Sequence, residues 1–502
     1  MQLDVLIVGA GISGISSACH LLNKCPEKSF AILEARSEYG GTWDLFRYPG
    51  IRSDSDMHTL GFNFKPWDAE KSIADGPSIK KYLKETIDEY KLEEHIQYET
   101  KVISASWLVK DRVWIVDIVR GAKASQLSCK FLMMCSGYYD YERPFRPDFK
   151  HEDVFKGEII HPQLWPKDLD YKDKKVVVIG SGATAMTLTP ALAEKAQLVT
   201  MLQRSPTYVV SMPDKDRVAN YLKKLLPSSW AYAITRFKNT KVQQIMYRRM
   251  KKHPLKMKRF LIALVKKALG PDYDVDTHFT PSYDPWDQRI CLIPNGDLFR
   301  SLRSGKTQIV TEHIDCFTPG GLRLKSGLEL EADIVVTATG LNMQLMGGAE
   351  FYIDDQPIDF TDKFTYKGMM YADVPNLIQT FGYINASWTL RADLTSQYAC
   401  RLINHIDNLG ADYCVASLGD EDSNMAARPW IENFSAGYIQ RALNLMPKQG
   451  IEDPWRNTQN YDLDKKMLRD APLEDDVMTF VKTPITKHSA KQDSVRNKKA
   501  AA

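Results

Sequence analysis

The sequence predicts an α/β fold with two Rossmann-type dinucleotide-binding domains and a helical insertion. Two observations carry this prediction. Short β-branched apolar runs at 3–9 and 175–180 each end at glycine and lead into a helical stretch, the strand–turn–helix pattern of a parallel sheet. Between 215 and 270, apolar residues at helical spacing are interleaved with 16 Lys or Arg and a single acidic residue. This block is therefore expected to be a basic helical insertion.

Length and composition favour a multi-domain globular protein. A chain of 502 residues is too long for one ordinary core, and its 44% hydrophobic and 26% charged content is typical of globular proteins. The net charge of +3 indicates no charged partner, and without a recognised binding module we predict no nucleic acid partner. No uncharged apolar run approaches the roughly 20 residues of a membrane-spanning helix.

The cysteines and the N-terminus predict a cytoplasmic protein. The eight cysteines are dispersed and form no CxxC or CxxxxC pair, which suits a reducing compartment. The chain runs from Met1 directly into an apolar segment without a basic leader, so no export is expected. No metal site is predicted.

The first glycine-rich turn combines the features of a dinucleotide site. Gly9, Gly11 and Gly14 fit the GxGxxG pattern directly after the first apolar strand. Glycines at this spacing permit a tight turn and let the backbone approach a pyrophosphate at the positive end of a helix. Twenty positions after Gly14, the next apolar run ends at Glu34, where a carboxylate accepts hydrogen bonds from a ribose diol. These residues are predicted to bind the first cofactor.

The second turn predicts a different nucleotide. Gly180, Gly182 and Ala185 repeat the pattern, with alanine at the last position, where it is tolerated. The next strand ends at Arg204 and Ser205 in place of an acid. Arginine can hold a 2′-phosphate with two hydrogen bonds, and serine can donate a third. NADP is therefore favoured over NAD.

An acid in the first turn unit and an arginine in the second indicate FAD and NADPH bound together, which means hydride transfer to flavin. The predicted division of the chain is 1–140 for the first part of an FAD-binding domain, 141–174 for a linker, 175–214 with 271–330 for an NADP-binding domain, 215–270 for the basic helical insertion, 331–480 for the second part of the FAD-binding domain and 481–502 for a disordered tail.

A longer pattern lies in the linker. Residues 155–166 match FxGxxxHxxxWP at every position, through Phe155, Gly157, His161, Trp165 and Pro166. This pattern resembles the signature of the Baeyer–Villiger monooxygenases. The related flavin-containing N- and S-oxygenases usually lack the closing Trp-Pro.

A second pattern near the N-terminus points to the same family. It has the form [AG]GxWxxxx[FY]P[GM]xxxD, which is similar to the family's other fingerprint. The matching residues are Gly41, Thr42, Trp43, the Tyr48-Pro49-Gly50 run and Asp54. Within the family, the segments 43–67 and 385–393 resemble the ethionamide-activating subgroup. The resemblance extends from the N-terminus to about residue 470.

The resemblance implies a catalytic pair. In this family an arginine over the flavin keeps the C4a-peroxide deprotonated, and an adjacent aspartate fixes that arginine. Asp54 falls at the fingerprint aspartate, and Arg289 is the candidate arginine. The chemistry supports the pair, because a guanidinium is always charged and does not readily donate a proton. Arg52 is an alternative partner for Asp54 or a cofactor contact. Many members carry a lysine before the arginine that helps hold the 2′-phosphate, whereas this chain has Gln288.

Other positions have predicted supporting roles. No acid or nucleophile pairs with His161 in the sequence, so a structural role is favoured, and its segment is assigned to domain movement. The loops 135–137 and 338–340, the latter ending at Gly340, follow apolar strands and are expected to pass close to FAD. Trp388 opens a predicted helix whose N-terminus could face the flavin, and its side chain is either a core residue or a wall of the substrate pocket.

The resemblance implies an NADPH- and O2-dependent monooxygenase that converts ketones to esters or lactones through a C4a-peroxyflavin, with oxidation of thioethers or thioamides as a coexisting activity. A heteroatom oxygenase is the first alternative, and the complete Trp165-Pro166 ending disfavours it. A disulfide reductase would need a redox cysteine pair that the sequence lacks. A non-catalytic scaffold would need a damaged cofactor site, whereas both glycine patterns are intact.

The basic block, 215–270, has two interpretations. It either forms a helical lid over the substrate site with a solvated basic face, which is favoured, or associates peripherally with anionic membranes through its cationic amphipathic helices. The two interpretations are compatible, because a lid at a lipid surface could admit apolar ketones.

Overall fold

The structure is a computed structural model, which describes residues 2–419, 422, 425–432 and 434–482. The predicted disordered tail begins at Val481, which is the last residue of a strand. The rest of that tail, from 483 to 502, lies outside the described residues.

The described residues combine α-helices with parallel strands, as the α/β prediction requires. The α-helices of the described residues are α1 (Ile12–Lys24), α2 (Thr42–Leu45), α3 (Met57–Leu60), α4 (Gly76–Glu89), α5 (Ala183–Leu192), α6 (Arg217–Leu225), α7 (Ser228–Lys252), α8 (Pro254–Leu269), α9 (Val275–Phe279), α10 (Asp297–Arg303), α11 (Trp388–Leu409), α12 (Gly437–Ala442) and α13 (Tyr461–Asp464).

The strands of the same residues are β1 (Gln2–Val8), β2 (Phe30–Leu33), β3 (Ile96–Gln97), β4 (Thr100–Leu108), β5 (Val113–Arg120), β6 (Lys123–Met134), β7 (Glu158–Ile160), β8 (Lys175–Ile179), β9 (Leu198–Gln203), β10 (Val209–Met212), β11 (Cys291–Pro294), β12 (Thr307–Thr311), β13 (Ile314–Thr318), β14 (Gly321–Leu324), β15 (Glu329–Glu331), β16 (Ile334–Thr337), β17 (Glu350–Ile353), β18 (Gln356–Pro357), β19 (Thr365–Tyr366), β20 (Met370–Tyr371), β21 (Leu377–Gln379), β22 (Tyr413–Ala416), β23 (Arg428–Pro429), β24 (Lys448–Gln449) and β25 (Met478–Val481).

The largest sheet contains the N-terminal strand β1 near its middle and strands from distant parts of the chain. Its order is β18-β17-β4-β5-β6-β1-β2-β3, and β21 pairs with β6. β1 runs parallel to both β2 and β6, and its residues 5–8 are apolar and buried. A parallel strand covered on both faces requires such a continuous apolar run. We name this sheet, together with α1 to α4 and α11, the first unit.

The second sheet is parallel throughout, in the order β12-β9-β8-β16-β7. We name it, with α5, α9 and α10, the second unit. It corrects two boundaries of the sequence-based division. β7 lies within the predicted linker 141–174, and β16 lies within the predicted segment 331–480. β16 is buried throughout, and an apolar strand of this kind does not indicate from sequence alone which of two sheets it joins.

The basic block forms the predicted helical insertion as α6, α7 and α8. Asp216 caps α6 by accepting hydrogen bonds from two backbone N–H groups, and α8 begins at Pro254 and ends before Gly270. The insertion contacts both units. Helix α7 contacts α3 of the first unit, and α8 contacts α9 of the second unit and the neighbouring strand β10. No helix in the described part of the chain combines the length and apolar character needed to cross a bilayer.

Candidate active site

A cavity of about 530 Å³ lies where the two units meet. The first unit supplies most of its walls, from the first glycine turn, the loop after β6 and the start of α11. The second unit and the segment after its insertion supply the start of α5 and Arg289. Of the predicted cofactor and catalytic residues, those that line the cavity are Gly9, Gly11, Glu34, Gly41, Thr42, Trp43, Asp54 and Arg289.

The first glycine turn is closely packed. Gly9 has φ of +106°, and a Cβ there would lie 2.7 Å from the carbonyl oxygen of Cys135. A Cβ on Gly14 would overlap the carbonyl oxygen of Gly9, so α1 sits directly on the turn. Glycine is therefore required at both positions. Gly11 faces the cavity and leaves the helix N-terminus accessible.

Glu34 is positioned by the backbone at the end of β2. Its carboxylate accepts hydrogen bonds from the backbone N–H groups of Ala10 at 2.8 Å and Arg36 at 2.9 Å. The side chain is buried, and desolvation raises the pKa of its carboxyl above the ordinary value. Each carboxylate oxygen retains accepting capacity toward the cavity, as binding a ribose diol requires.

Asp54 and Arg289 meet in the cavity although 235 positions separate them in sequence. Arg289 Nη1 donates to Asp54 Oδ2 at 2.7 Å, and its other amino nitrogen lies 3.4 Å from the carbonyl oxygen of Ile384. The negative charge of Asp54 raises the pKa of Arg289 above its usual value. The geometry thus provides a fixed cation at the junction of the two units.

Arg52 is not the partner of Asp54. It donates from Nη1 to Asp297 Oδ2 at 2.6 Å, on the first turn of α10. Arg52 also lines the cavity. The alternative partner considered from sequence is therefore wrong, whereas a cofactor contact by Arg52 stays a prediction.

Three tyrosines surround Arg289, and none of them was predicted. The hydroxyls of Tyr138 and Tyr139 lie 2.7 Å apart, and burial raises the pKa of both. Tyr438, from α12, is close enough to Arg289 to interact with its charge. Tyr138 follows the loop 135–137, so a tyrosine pair after a glycine loop was the available sequence signal.

Trp388 is a wall of the cavity and also packs against the core. Its indole Nε1 donates to Ser13 Oγ at 2.7 Å, which ties the start of α11 to the first glycine turn. Its ring stacks on Tyr138 with centroids 5.1 Å apart. Trp388 therefore lies in a cavity wall and also packs against the core, so the two interpretations from sequence are not exclusive.

The Tyr48-Pro49-Gly50 part of the first fingerprint docks the units together. Gly50 has φ of +77°, and a Cβ there would lie 2.8 Å from the Cβ of Ala191 on α5. Tyr48 is buried and hydrogen bonds with Thr184, and desolvation raises its pKa to about 12. The sequence identified this run as a fingerprint without indicating its contact.

The glycines of the second turn do not line the cavity, although Ala183 and Thr184 of the same pattern do. A Cβ on Gly180 would overlap the carbonyl oxygen of Ala338, whereas one on Gly182 would meet nothing within 4 Å. Ala185 is buried in α5. Arg204 and Ser205 are exposed where β9 ends. This turn therefore presents an open surface beside two exposed donors.

The linker fingerprint holds the edge of the second sheet. His161 Nδ1 accepts from the backbone N–H of Gln163 at 3.2 Å, so Nε2 carries the proton and donates to the carbonyl oxygen of Gly340 at 3.2 Å. Burial lowers the pKa of His161, which keeps it neutral. A Cβ on Gly157 would overlap the carbonyl oxygen of Asp333. These contacts support the structural role expected for His161.

The other fingerprint residues are peripheral to the cavity. Phe155 packs on Phe317 with ring centroids 5.7 Å apart, Trp165 packs against the core of the second unit, and Pro166 is exposed. Neither these residues nor Gly340 lines the cavity, although Leu341 does. The fingerprint therefore marks the scaffold of the second unit and not the reaction centre.

A buried ion pair that sequence reasoning missed fixes α7. Arg236 Nη2 donates to Asp393 Oδ2 at 3.1 Å, and its Nη1 contacts the carbonyl oxygens of His58, Thr59 and Gly61. No residue of 215–270 belongs to the described cavity lining, so the block packs behind the walls and does not cover the site as a lid. Arg236 is one of 16 basic residues between 215 and 270, and nothing in the sequence distinguishes it as the one that forms a buried ion pair.

Comparisons with known proteins agree with this architecture. Residues 6–259 match a family model described as "Pyridine nucleotide-disulphide oxidoreductase". The solved structure of an oxidized steroid monooxygenase bound to NADP matches with a TM-score of 0.77 at 20% identity, covering 96% of this chain and 100% of that one. The complex of OTEMO with FAD and NADP matches with a TM-score of 0.69 at 21% identity, covering 83% and 88%. These matches define a fold with two dinucleotide-binding domains.

Relatives of higher sequence identity show to which family of proteins the chain belongs. The FAD-containing monooxygenase EthA of Mycobacterium tuberculosis (strain ATCC 25618 / H37Rv) is 52% identical over 484 residues, 96% of this chain and 98% of the relative. The probable FAD-binding monooxygenase AlmA of Acinetobacter baylyi is 49% identical, covering 96% of each chain. The chain belongs to this family of FAD-containing monooxygenases. Membership implies an enzyme that acts on a small molecule with O2.

Proposed function

We propose that the protein is an NADPH- and O2-dependent Baeyer–Villiger monooxygenase that converts ketones to esters or lactones and also oxidises thioethers or thioamides. The observation that carries the proposal is the Arg289–Asp54 ion pair in the cavity. The similarity to a steroid monooxygenase bound to NADP supports it at the level of the fold.

The cavity fits FAD. The accessible N-terminus of α1 at Gly11 suits a pyrophosphate, and Glu34 offers a carboxylate to a ribose. Thr42 and Trp43 continue the same wall, and a volume of about 530 Å³ matches that of a cofactor pocket. Bound FAD, once reduced by NADPH, would supply the activation of O2 needed to transfer one oxygen atom to a substrate.

The open second turn fits NADP. Gly182 leaves room for a pyrophosphate at the start of α5, and the exposed Arg204 and Ser205 could donate to a 2′-phosphate. We therefore assign the second unit to NADP and the first unit to FAD. Gln288, which is half-buried, leaves Arg204 as the main source of selectivity for the phosphate.

Arg289 would hold a negatively charged oxygen species without protonating it. Its pKa is raised by Asp54, so it donates hydrogen bonds while keeping its own proton. Asp54 fixes the guanidinium by a single bond and leaves other N–H donors free to face the cavity. A preorganised cation of this kind stabilises charge that develops during reaction.

The rest of the wall favours apolar substrates. The cavity lining includes aromatic and aliphatic side chains, from Tyr138, Tyr383, Trp388, Leu60 and Leu292. Trp388 and Tyr138 form one stacked surface. A ketone or thioether with an apolar body could bury that body here and place its reactive group near the cation.

We also propose membership of the ethionamide-activating subgroup. The two segments that resemble it, 43–67 and 385–393, meet in the structure. Thr59 Oγ1 and Ser387 Oγ are 2.6 Å apart, and the N–H of Asn63 donates to Asp393 at 3.1 Å. Because the segments form one contact beside the cavity, their joint resemblance concerns a single structural feature.

A disulfide reductase is a poorer fit. Cys135 is the one cysteine among the described residues that line the cavity, so no thiol pair faces the cofactor position. Burial raises the pKa of its thiol. All eight cysteines are buried free thiols, in keeping with the cytoplasmic location that we propose.

The test is a product assay on the FAD-loaded enzyme. We expect ketones to yield esters or lactones, with one atom from ¹⁸O2 detected by mass, across a panel of linear, cyclic and aryl ketones and thioethers. Arg289→Ala should keep FAD and oxidise NADPH, but its oxygenated product should fall about 100-fold, as for loss of a charge-stabilising donor. Arg323→Ala is the matched control, since Arg323 pairs with Asp315 away from the cavity.

Two outcomes would contradict the proposal. Normal ester formation by Arg289→Ala would remove this residue from the reaction. Sulfoxides as the only products, with no ester from any ketone, would instead assign the enzyme to heteroatom oxygenation.

A further inference from the structure

Exposed apolar side chains are concentrated in the helical insertion. Of the 20 large hydrophobic residues exposed in the described chain, 11 lie between 215 and 270. We use six on α6 and α7 to define an apolar face: Tyr221, Leu225, Trp230, Ile234, Phe237 and Ile245. Trp230 is 68% exposed and Phe237 is 66% exposed, so these rings stand in water. Such a cluster marks an interaction surface.

The apolar face follows helix geometry. Trp230, Ile234, Phe237 and Ile245 are separated by four, three and eight residues, which places them on one side of α7. Tyr221 and Leu225 are four apart on α6, and α6 contacts α7. The opposite side of α7 is buried through Tyr232 and its neighbours. Folding thus covers only one of the two apolar sides of α7.

The outward direction of this face is fixed. Arg236 points into the first unit, where it bonds to Asp393 and to three backbone carbonyls. Lys241 and Arg248 both pair with Asp462, from α13. Rolling α7 to bury Trp230 or Phe237 would break the buried Arg236–Asp393 pair, at a high energetic cost.

The helices of the insertion, α6, α7 and α8, carry unpaired positive charge. Asp216 is the single acidic residue of the block, and it is occupied by Lys238 and Asn239. The exposed basic residues that form no ion pair with the described residues are Arg217, Lys224, Arg249, Lys252, Lys256, Arg259 and Lys267. Arg249 and Lys252 lie in the last turn of α7, beyond the end of the apolar face at Ile245. The surface is therefore apolar and cationic together.

We propose that this apolar face docks on an anionic lipid membrane. A bilayer interface takes tryptophan, phenylalanine and aliphatic side chains into the headgroup boundary while anionic lipids attract the lysines and arginines. A second copy of the chain fits less well, because two faces with the same positive charge repel one another. A nucleic acid would satisfy the charges and leave the apolar rings in water.

The docked orientation brings the membrane to the back of the cavity wall. Arg236 binds the carbonyls of the segment 58–61, and Leu60 of that segment lines the cavity. The membrane surface and the cavity thus share one layer of structure. Docking determines where in the cell the protein lies and does not depend on the proposed reaction.

Co-sedimentation of the FAD-loaded protein with vesicles tests the inference. We expect binding to phosphatidylcholine vesicles that contain phosphatidylglycerol and little binding to phosphatidylcholine alone. Raised salt should weaken binding, because charge attraction is screened within about 10 Å at 0.1 M. Arg249→Ser and Lys252→Ser should each weaken it roughly fivefold, the effect of one basic residue near such a surface.

The apolar contribution needs its own variant. Trp230→Ser/Phe237→Ser should lower binding at least tenfold while flavin content and melting temperature stay unchanged, because both rings are exposed. Leu328→Ser/Leu445→Ser is the matched control, with two exposed leucines outside the block. Failure to bind anionic vesicles at low salt would overturn the inference. Concentration-dependent self-association that the Trp230→Ser/Phe237→Ser variant abolishes would overturn it in favour of a second copy.

Discussion

The two glycine turns have the same sequence pattern and different surroundings. In the first, Gly14 packs against the backbone of Gly9, and Glu34 is buried with both carboxylate oxygens bonded to backbone N–H groups. In the second, the position equivalent to Gly14 is Ala185, which carries a Cβ and is buried, and Arg204 is exposed at the end of the next strand. The comparison teaches that one motif can be packed in two ways. Its last position excludes a side chain in the first unit and holds a buried alanine in the second, and the following strand ends in a buried acid in one unit and an exposed base in the other.

This difference suits the two proposed cofactors. Glu34 is buried on a cavity wall, so a ligand bound there would be partly removed from water, which favours retention through many turnovers. An exposed arginine makes charge-assisted bonds that are screened by salt and exchange readily. FAD in the first unit would therefore stay bound, whereas NADP in the second would bind and leave.

The largest expected effect is the loss of flavin when a methyl group is added to the first turn, compared with a methyl group added to the second. Gly14→Ala should lose most of its flavin during purification, because the new Cβ overlaps the carbonyl oxygen of Gly9 and must push α1 from the turn. Gly182→Ala should keep full flavin and change only the KM for NADPH. Flavin absorbance per protein measures the first effect and steady-state kinetics the second.

The contrast fails if both variants behave alike. Equal flavin retention would mean that the first turn tolerates a methyl group at Gly14 and that close packing of α1 on this turn is not needed to hold FAD. Loss of FAD from a folded Gly14→Ala protein must be distinguished from aggregation. If the fold is intact, reconstitution with excess FAD should restore the melting temperature.

The two strand–turn–helix units could be predicted from sequence because their pattern is local. Gly9, Gly11 and Glu34 follow from a strand, a turn and an acid at fixed spacing, and the structure places all three on the cavity. The Arg289–Asp54 pair came instead from a family resemblance, and the structure brings its members together across 235 positions. No local pattern specifies a contact at that separation.

What the sequence missed depends on packing between elements. The membership of β16 in the second sheet, the docking of Gly50 on α5 and the Arg236–Asp393 pair all join distant segments. A buried apolar strand, a glycine and an arginine each have many possible partners, so residue type alone does not select one. The lid interpretation failed for the same reason.

The next effect concerns the open turn. Arg204→Ala should raise the KM for NADPH roughly 10- to 100-fold, since hydrogen bonds to charged groups contribute about 1.5–3 kcal/mol. The KM for NADH should stay almost unchanged, because NADH lacks the 2′-phosphate. Kinetics with both nucleotides at low and high salt provide the measurement, and an equal loss with both would indicate a folding defect.

A smaller effect is expected where the units dock. Gly50→Ala should destabilise the protein by about 1–3 kcal/mol, because the residue has φ of +77° and its Cβ would lie 2.8 Å from Ala191. It should also uncouple NADPH oxidation from product formation, since the loop leads to Asp54. Gly121→Ala is the control, with φ of +58° and open space around it. Equal destabilisation by both would assign the effect to backbone strain alone.

The smallest effect compares one titratable group from each half of the molecule. Burial raises the pKa of Glu34 and lowers the pKa of His161. The folded state therefore binds a proton at Glu34 more tightly than the unfolded state, and this contribution to stability is lost as pH rises above the ordinary glutamate value. His161 acts in the opposite sense, and its contribution is lost as pH falls below the ordinary histidine value of about 6.5.

Denaturant unfolding of the flavin-free protein across pH measures both contributions. The free energy of unfolding of wild type minus that of Glu34→Gln should decrease as pH rises through the acidic window. The corresponding difference for His161→Gln should increase as pH rises toward neutrality. A lost hydrogen bond in either variant adds a constant offset, so the slope alone decides. Parallel curves for wild type and both variants would show that neither group changes its proton affinity on folding.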